Sequence, residues 1–180
     1  MSSNLLKAMK NLRQNLHNVG NLNNWKKKSL NQGAIALSNM DNFTLVQVSF
    51  NAAGERVVDH IGAIGTKGWL VATPEEYMQE YETISSFYNG TGEKVRIVKM
   101  TPGMRFECSN IILEHQDTTL HPIKNGALAY YYHVEKKFVI CNENPGGGAG
   151  YPLAANKLVL VDKDCASIDG QTVYRFEVTQ

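Results

Sequence analysis

The chain has 180 residues and a mass of 20.0 kDa, the size of one medium domain or of a domain with an appended arm. At 43% hydrophobic and 19% charged residues it can build a core, which excludes wholesale disorder, and it is too poor in charge for a coiled coil. No apolar run approaches the ~18 residues of a membrane helix, and Met1-Ser2-Ser3-Asn4 opens no apolar leader, so neither membrane contact nor secretion is expected.

The net charge of +1 hides a division along the chain. Residues 1–40 carry Lys7, Lys10, Arg13, Lys26, Lys27 and Lys28 and no acid, a charge of +6; the remaining 12 bases against all 17 acids leave −5 for residues 41–180. The same opening segment is rich in asparagine, from Asn4 to Asn39, and poor in side chains that pack. Residues 1–32 therefore read as a basic, Asn-rich arm that orders on an acidic partner surface. Within it Leu5, Met9, Leu12 and Leu16 recur at four, three and four residues, one face of a short amphipathic helix ending at Gly20. Such a helix docks either on a partner or on its own domain, since alone it is too short to be stable. Leu5, Met9, Leu12, Arg13, Leu16, Trp25, Lys26, Lys27 and Lys28 are the arm's candidate partner-binding residues.

Residues 33–180 read as a β-rich body, an antiparallel or mixed barrel or sandwich with one inserted helix. Strand candidates are Ala34–Leu37, Phe43–Val48, Arg56–Val58, Gly68–Ala72, Val95–Met100 and Met104–Cys108. The last two flank Pro102-Gly103, the central pair of a type II turn. Ala127–Val134 and Lys137–Cys141 are parted by Glu135-Lys136 and so form a hairpin. Lys157–Val161 and Thr172–Val178 close the chain, the latter with a broken alternation that predicts a bulge or two-sided burial. Asn125-Gly126 and Asp169-Gly170 mark tight turns. The inserted helix is predicted over 74–88, with Thr73 as N-cap and Pro74 at its first position. Tyr77, Tyr81, Ile84 and Tyr88 form its buried face, and Asn89-Gly90 ends it.

Chemistry-bearing patterns are few. Gly62–Gly68 lacks Walker spacing and precedes a strand, so it reads as a turn. Asn144–Pro152, centred on Gly146, Gly147 and Gly148, has the freedom of a surface loop that conforms to a neighbouring molecule. Glu107, Glu114, His115, Asp117, His121 and His133 supply metal-binding side chains, but without a ligand spacing that points to a site. Cys108, Cys141 and Cys165 cannot all pair with one another and have no CxxC spacing, so they are expected as free thiols, small hydrophobes first. No GxSxG element is present. Trp25 beside Lys26–Lys28 combines an aromatic with charge, as single-stranded nucleic acid requires, yet the acidic body argues against that partner. No catalytic residue, metal or cofactor is therefore assigned.

A resemblance adds to this. Met40–Val46, Gly68–Glu75, Phe87–Val98, Pro102–Ser109 and the hairpin ending Lys136–Ile140 are similar, in order, to small structural proteins from the virion gene blocks of tailed bacteriophages. The resemblance implies a non-enzymatic virion component, a capsid decoration or cement protein or an auxiliary head protein, located in virions assembled in the host cytoplasm. Its partners would be the major capsid protein or other virion subunits, contacted in multiple copies. A neck or tail connector, a cupin-like metal enzyme and a single-stranded nucleic-acid module are the alternatives.

Overall fold

The computed structural model describes residues 17–21, 29–74 and 84–180. Its strands are β1 (Gly20–Asn21), β2 (Ser29–Ala36), β3 (Leu45–Phe50), β4 (Arg56–His60), β5 (Trp69–Val71) and β6 (Lys94–Lys99). They continue as β7 (Arg105–Cys108), β8 (Ile111–Leu113), β9 (Leu128–Tyr132), β10 (Lys137–Ile140), β11 (Lys157–Ile168) and β12 (Gln171–Val178). Five of them close a small barrel in the order β2-β4-β3-β5-β6; the other seven form a sheet in the order β1-β7-β12-β11-β9-β10-β8. Pairing is antiparallel except for β2 with β4 and β8 with β10. The protein is thus mainly β, as its short apolar runs predict.

The barrel strands bury both faces, which accounts for their apolar doublets. Val46, Val71 and Ile97 point into the barrel with Ala34, Ala36, Met40, Val58 and Val95. Their neighbours Leu45, Leu70 and Val98 point outward and join one core with the sheet. At the centre of that core Phe106 stands opposite Phe176, and Phe138 opposite Tyr131, as cross-strand partners. The Phe106, Phe138 and Phe176 ring centroids lie 5.4–5.9 Å apart, the tilted geometry aromatic rings prefer.

Turn chemistry places the strand ends as expected. Gly103 has φ 81°, and the Met104 amide donates to Thr101 across the Pro102-Gly103 turn. Asp169 and Gly170 both have positive φ, the pattern of the tight turn between β11 and β12. Their ladder shifts register on either side of Asp162, where β11 holds the extra residues, so the irregularity lies in the strand facing Thr172–Val178 rather than within it.

Two expectations change. The arm does not extend unbroken to residue 32. Val19 is fully buried, β1 pairs with β7, and β2 begins at Ser29, so these stretches belong to the sheet and barrel. Residues 1–16 and 22–28, with Leu5, Met9, Leu12, Arg13, Leu16, Trp25, Lys26, Lys27 and Lys28, lie outside the described residues. Of the helix predicted over 74–88, residues 75–83 also lie outside them, and Ile84–Ser86 is a single 3-10 turn. The Thr73 hydroxyl accepts from the Arg96 amide of β6, Asn89 bridges to Met40, and Tyr88, expected on the buried face, is exposed.

Candidate functional site

Barrel and sheet meet along a cleft of about 660 Å³. The barrel contributes the loop Asn39–Thr44 and His60 at the end of β4. The sheet contributes the turn of the β9–β10 hairpin, Glu135–Lys137. Asn110, His17, Asn18 and Tyr88 complete the lining.

Two turn residues on opposite sides of this cleft adopt left-handed backbone conformations: Phe43 at φ 60° and Lys136 at φ 55°. A non-glycine residue there costs about 1–2 kcal/mol, so each needs external support. Asn110, in the bend before β8 and 2% exposed, supports both. Its amide donates to the Phe43 carbonyl at 2.9 Å and to the Lys136 carbonyl at 3.0 Å. Its own carbonyl accepts from the Phe138 amide. The barrel wall is braced in the same way. Asn42 exchanges two hydrogen bonds with the Thr73 backbone, at 2.8 and 3.0 Å, and Asn89 donates to the Met40 carbonyl. The cleft walls are thus fixed by buried amides before anything binds.

Its electrostatics are mixed. His17 Nδ1 and Asp41 Oδ1 are 2.6 Å apart, and the His17 ring stacks on Tyr88 with centroids 4.9 Å apart. His17 is anchored through its backbone as well: its amide donates to Ser85, and its carbonyl accepts from Gln171. On the far wall Lys136 and Lys137 form no ion pair among the described residues. Burial, then the Lys136 ammonium, holds the His60 imidazole below its ordinary pKa. Its Nε2 lies 3.4 Å from the Asn39 carbonyl, while its buried Nδ1 has no partner among the described residues. Burial pushes the adjacent Asp59 carboxyl up, but the Ser38 hydroxyl at 2.8 Å and the His60 amide outweigh it, leaving the carboxyl below its usual range.

The glycine loop is less free than its composition suggests. Gly146 is exposed, Gly147 sits half-buried against Tyr151 at φ 113°, and Gly148 is buried against the Glu114 carboxylate, where a Cβ would overlap it. Pro145 accepts from the Leu128 amide, which ties the loop to β9. The candidate metal ligands are dispersed. Glu107 is held by Arg175, with Nε and Nη2 at 2.8 and 2.5 Å. His115 and His121 do come together, ring centroids 4.1 Å apart, in a loop fastened by Asn142. Among the described residues no group of three metal-binding side chains forms. Burial raises the Cys108, Cys141 and Cys165 thiols above their ordinary pKa, which suits packing rather than nucleophilic attack.

The model of the YonC prophage protein family matches residues 13–179, which spans the barrel, the sheet and both walls of the cleft. The chain belongs to that family. It is also 31% identical over 169 residues to the SPbeta prophage-derived uncharacterized protein YonC of Bacillus subtilis strain 168, covering 91% of this chain and 92% of that one. No solved structure matches it. For this family member the cleft residues His17, Asp41, His60, Tyr88 and Asn110 carried no local sequence signal. Asn110 and Phe43 are 67 positions apart, and only folding brings them together. The one legible element was the Glu135-Lys136 hairpin turn.

Proposed function

We propose that the chain is a non-enzymatic virion protein that binds the surface of a phage particle, as a capsid decoration or auxiliary head protein. The observation that carries this reading is the junction cleft. It is open, lined from both β units, and its walls are held by Asn42, Asn89 and Asn110. Walls fixed in advance lower the ordering cost of docking another polypeptide. Lys136 and Lys137 in it, which form no ion pair among the described residues, and the +6 of residues 1–40 favour acidic partner surfaces. Membership in a prophage protein family supports a particle as the setting. The partner is then the major capsid protein or another virion subunit, met in multiple copies.

The test is co-sedimentation of the purified full chain with phage particles made without it. The full chain is expected in the particle fraction. Lys136→Glu with Lys137→Glu should move most of it to the supernatant, and so should deletion of residues 1–16, the longest N-terminal cut that spares His17 and Val19. A full chain that stays in the supernatant beside intact particles overturns the reading.

A further inference from the structure

We infer that the end of β3 is a self-pairing edge, through which two copies of this chain join their barrels into one continuous sheet about a two-fold axis at Ser49. This concerns contact between copies and stands apart from the particle-binding reading.

The inference begins with where β5 stops. β3 pairs with β5 only at Leu45 and Val46, opposite Leu70 and Trp69. One residue earlier, Gly68 packs on Leu45, where a Cβ would come within 2.9 Å of the Leu45 Cβ, and its amide donates to Asn156 Oδ1 at 3.0 Å. Asn156 also donates to the Thr66 carbonyl, so the chain is drawn away from β3. Gln47–Phe50 therefore runs past the end of its neighbour.

The hairpin register shows which backbone groups this leaves open. The Asn51 amide donates to the Glu55 carbonyl and the Ile61 amide to the Leu45 carbonyl. In an antiparallel ladder bonding alternates, so Leu45, Gln47, Ser49 and Asn51 turn their main-chain groups toward β4. Val48 and Phe50 turn theirs the other way, and nothing among the described residues pairs with them. Exposed edges in monomers are commonly blunted by lysine, proline or a bulge. Gln47-Val48-Ser49-Phe50 has none of these, and its β4 register is unbroken.

The edge is also rigid. Asn51 Oδ1 accepts from the Ala53 and Glu55 amides, and its Nδ2 donates to Glu55. Phe50 is 66% exposed, with the Arg56 guanidinium 5.8 Å from its ring centroid. An apolar side chain is thus held out at the end of an ordered ribbon.

A second copy fits because the open groups are spaced for it. With Ser49 facing Ser49 of the other copy, Val48 of each faces Phe50 of the other. Each such pair exchanges both of its main-chain hydrogen bonds, and Phe50 covers the partially buried Val48 across the seam. So short an edge gives a weak contact on its own, which becomes effective where copies are held close together.

Disulfide trapping in the full chain tests both the contact and its register. In this pairing the two Ser49 Cα atoms are ~4.5 Å apart, within disulfide reach, whereas the Gln47 positions are separated by four residues of strand and are out of reach. Under mild oxidation Ser49→Cys should give a covalent dimer on a non-reducing gel and Gln47→Cys should not. Adding Phe50→Pro, which removes an outward amide without touching the β4 ladder, should reduce Ser49→Cys dimer at least tenfold while the circular dichroism spectrum is retained. Absence of dimer from Ser49→Cys, equal dimer from Gln47→Cys, or dimer undiminished by Phe50→Pro each overturns the inference.

Discussion

Phe43 in the barrel and Lys136 in the sheet are tied to one side chain: the amide of Asn110 donates to the carbonyl of each, at 2.9 and 3.0 Å. Both residues hold left-handed backbone conformations, so one buried side chain stabilises two unfavourable turns and the junction between the β units.

Asn110→Ala should therefore destabilise more than its size suggests. It removes the donor from the buried Phe43 carbonyl, at about 1–3 kcal/mol, and from the part-buried Lys136 carbonyl at less, so a loss of about 2–4 kcal/mol is expected. Asn110→Asp should do worse, since it sets a carboxylate against two carbonyl oxygens. Urea unfolding checks this; a loss under about 0.5 kcal/mol for both variants would rule out the clamp.

Glu107 is the buried acid of the sheet, 6% exposed, held by Arg175 and by Asn21 Nδ2 at 3.1 Å. Arg175→Leu strands this carboxylate. Because the arginine is 36% exposed, the cost should fall at or below the lower end of the ~3–5 kcal/mol seen when buried pairs are broken. Replacing Glu107 by Leu as well should recover part of it. A double-mutant cycle with no coupling between the two positions contradicts the arrangement.

Stability should fall on the acid side of neutrality through His60. Its folded pKa lies below the ordinary 6.5, so the unfolded chain binds the proton more readily. The stability attached to the neutral imidazole is complete above pH 6.5 and is lost as pH drops from there toward the folded value. Asp59, also depressed, adds a further loss only below its ordinary 3.8. Melting temperatures near pH 7.5 and about pH 5.5 should differ less in His60→Gln than in the parent chain. Lys136→Met should move the imidazole titration upward, as read by NMR. An unchanged titration in Lys136→Met would remove the lysine from the account.

Two glycines should respond differently to alanine. At Gly20 a Cβ would overlap the backbone carbonyl of Glu107, which cannot move without breaking the β1–β7 pair. At Gly148 the obstacle is the end of the Glu114 side chain, which can rotate. Thermal unfolding should show a large fall in melting temperature for Gly20→Ala and a smaller one for Gly148→Ala. The reverse order would contradict this account of β1.

Much of the body was legible because its strands are bounded by strong turn residues. Pro102-Gly103, Asn125-Gly126, Glu135-Lys136 and Asp169-Gly170 each precede or join strands where their conformations require it. β1 and β8 escaped, since two or three residues carry no period, and β8 pairs in parallel with a partner reached through a long loop. The start of β2 was hidden by Asn31 and Gln32, polar residues that read as part of the arm. Beyond the Glu135-Lys136 turn, the cleft was not legible. Asparagine locally signals turns, whereas Asn42, Asn89, Asn110, Asn142 and Asn156 serve here as buried ties whose partners lie up to 90 positions away.

The paired burial of Leu45 with Val46, Leu70 with Val71 and Ile97 with Val98 also limits how this gene can be trimmed or shuffled. A fragment ending after β6 would display Leu45, Leu70 and Val98 as a greasy flank, and the remaining half would show the matching side of its phenylalanine layer. Neither piece is suited to survive as an independent module, so recombination between related prophages should exchange the whole coding unit and place its crossovers outside residues 17–180.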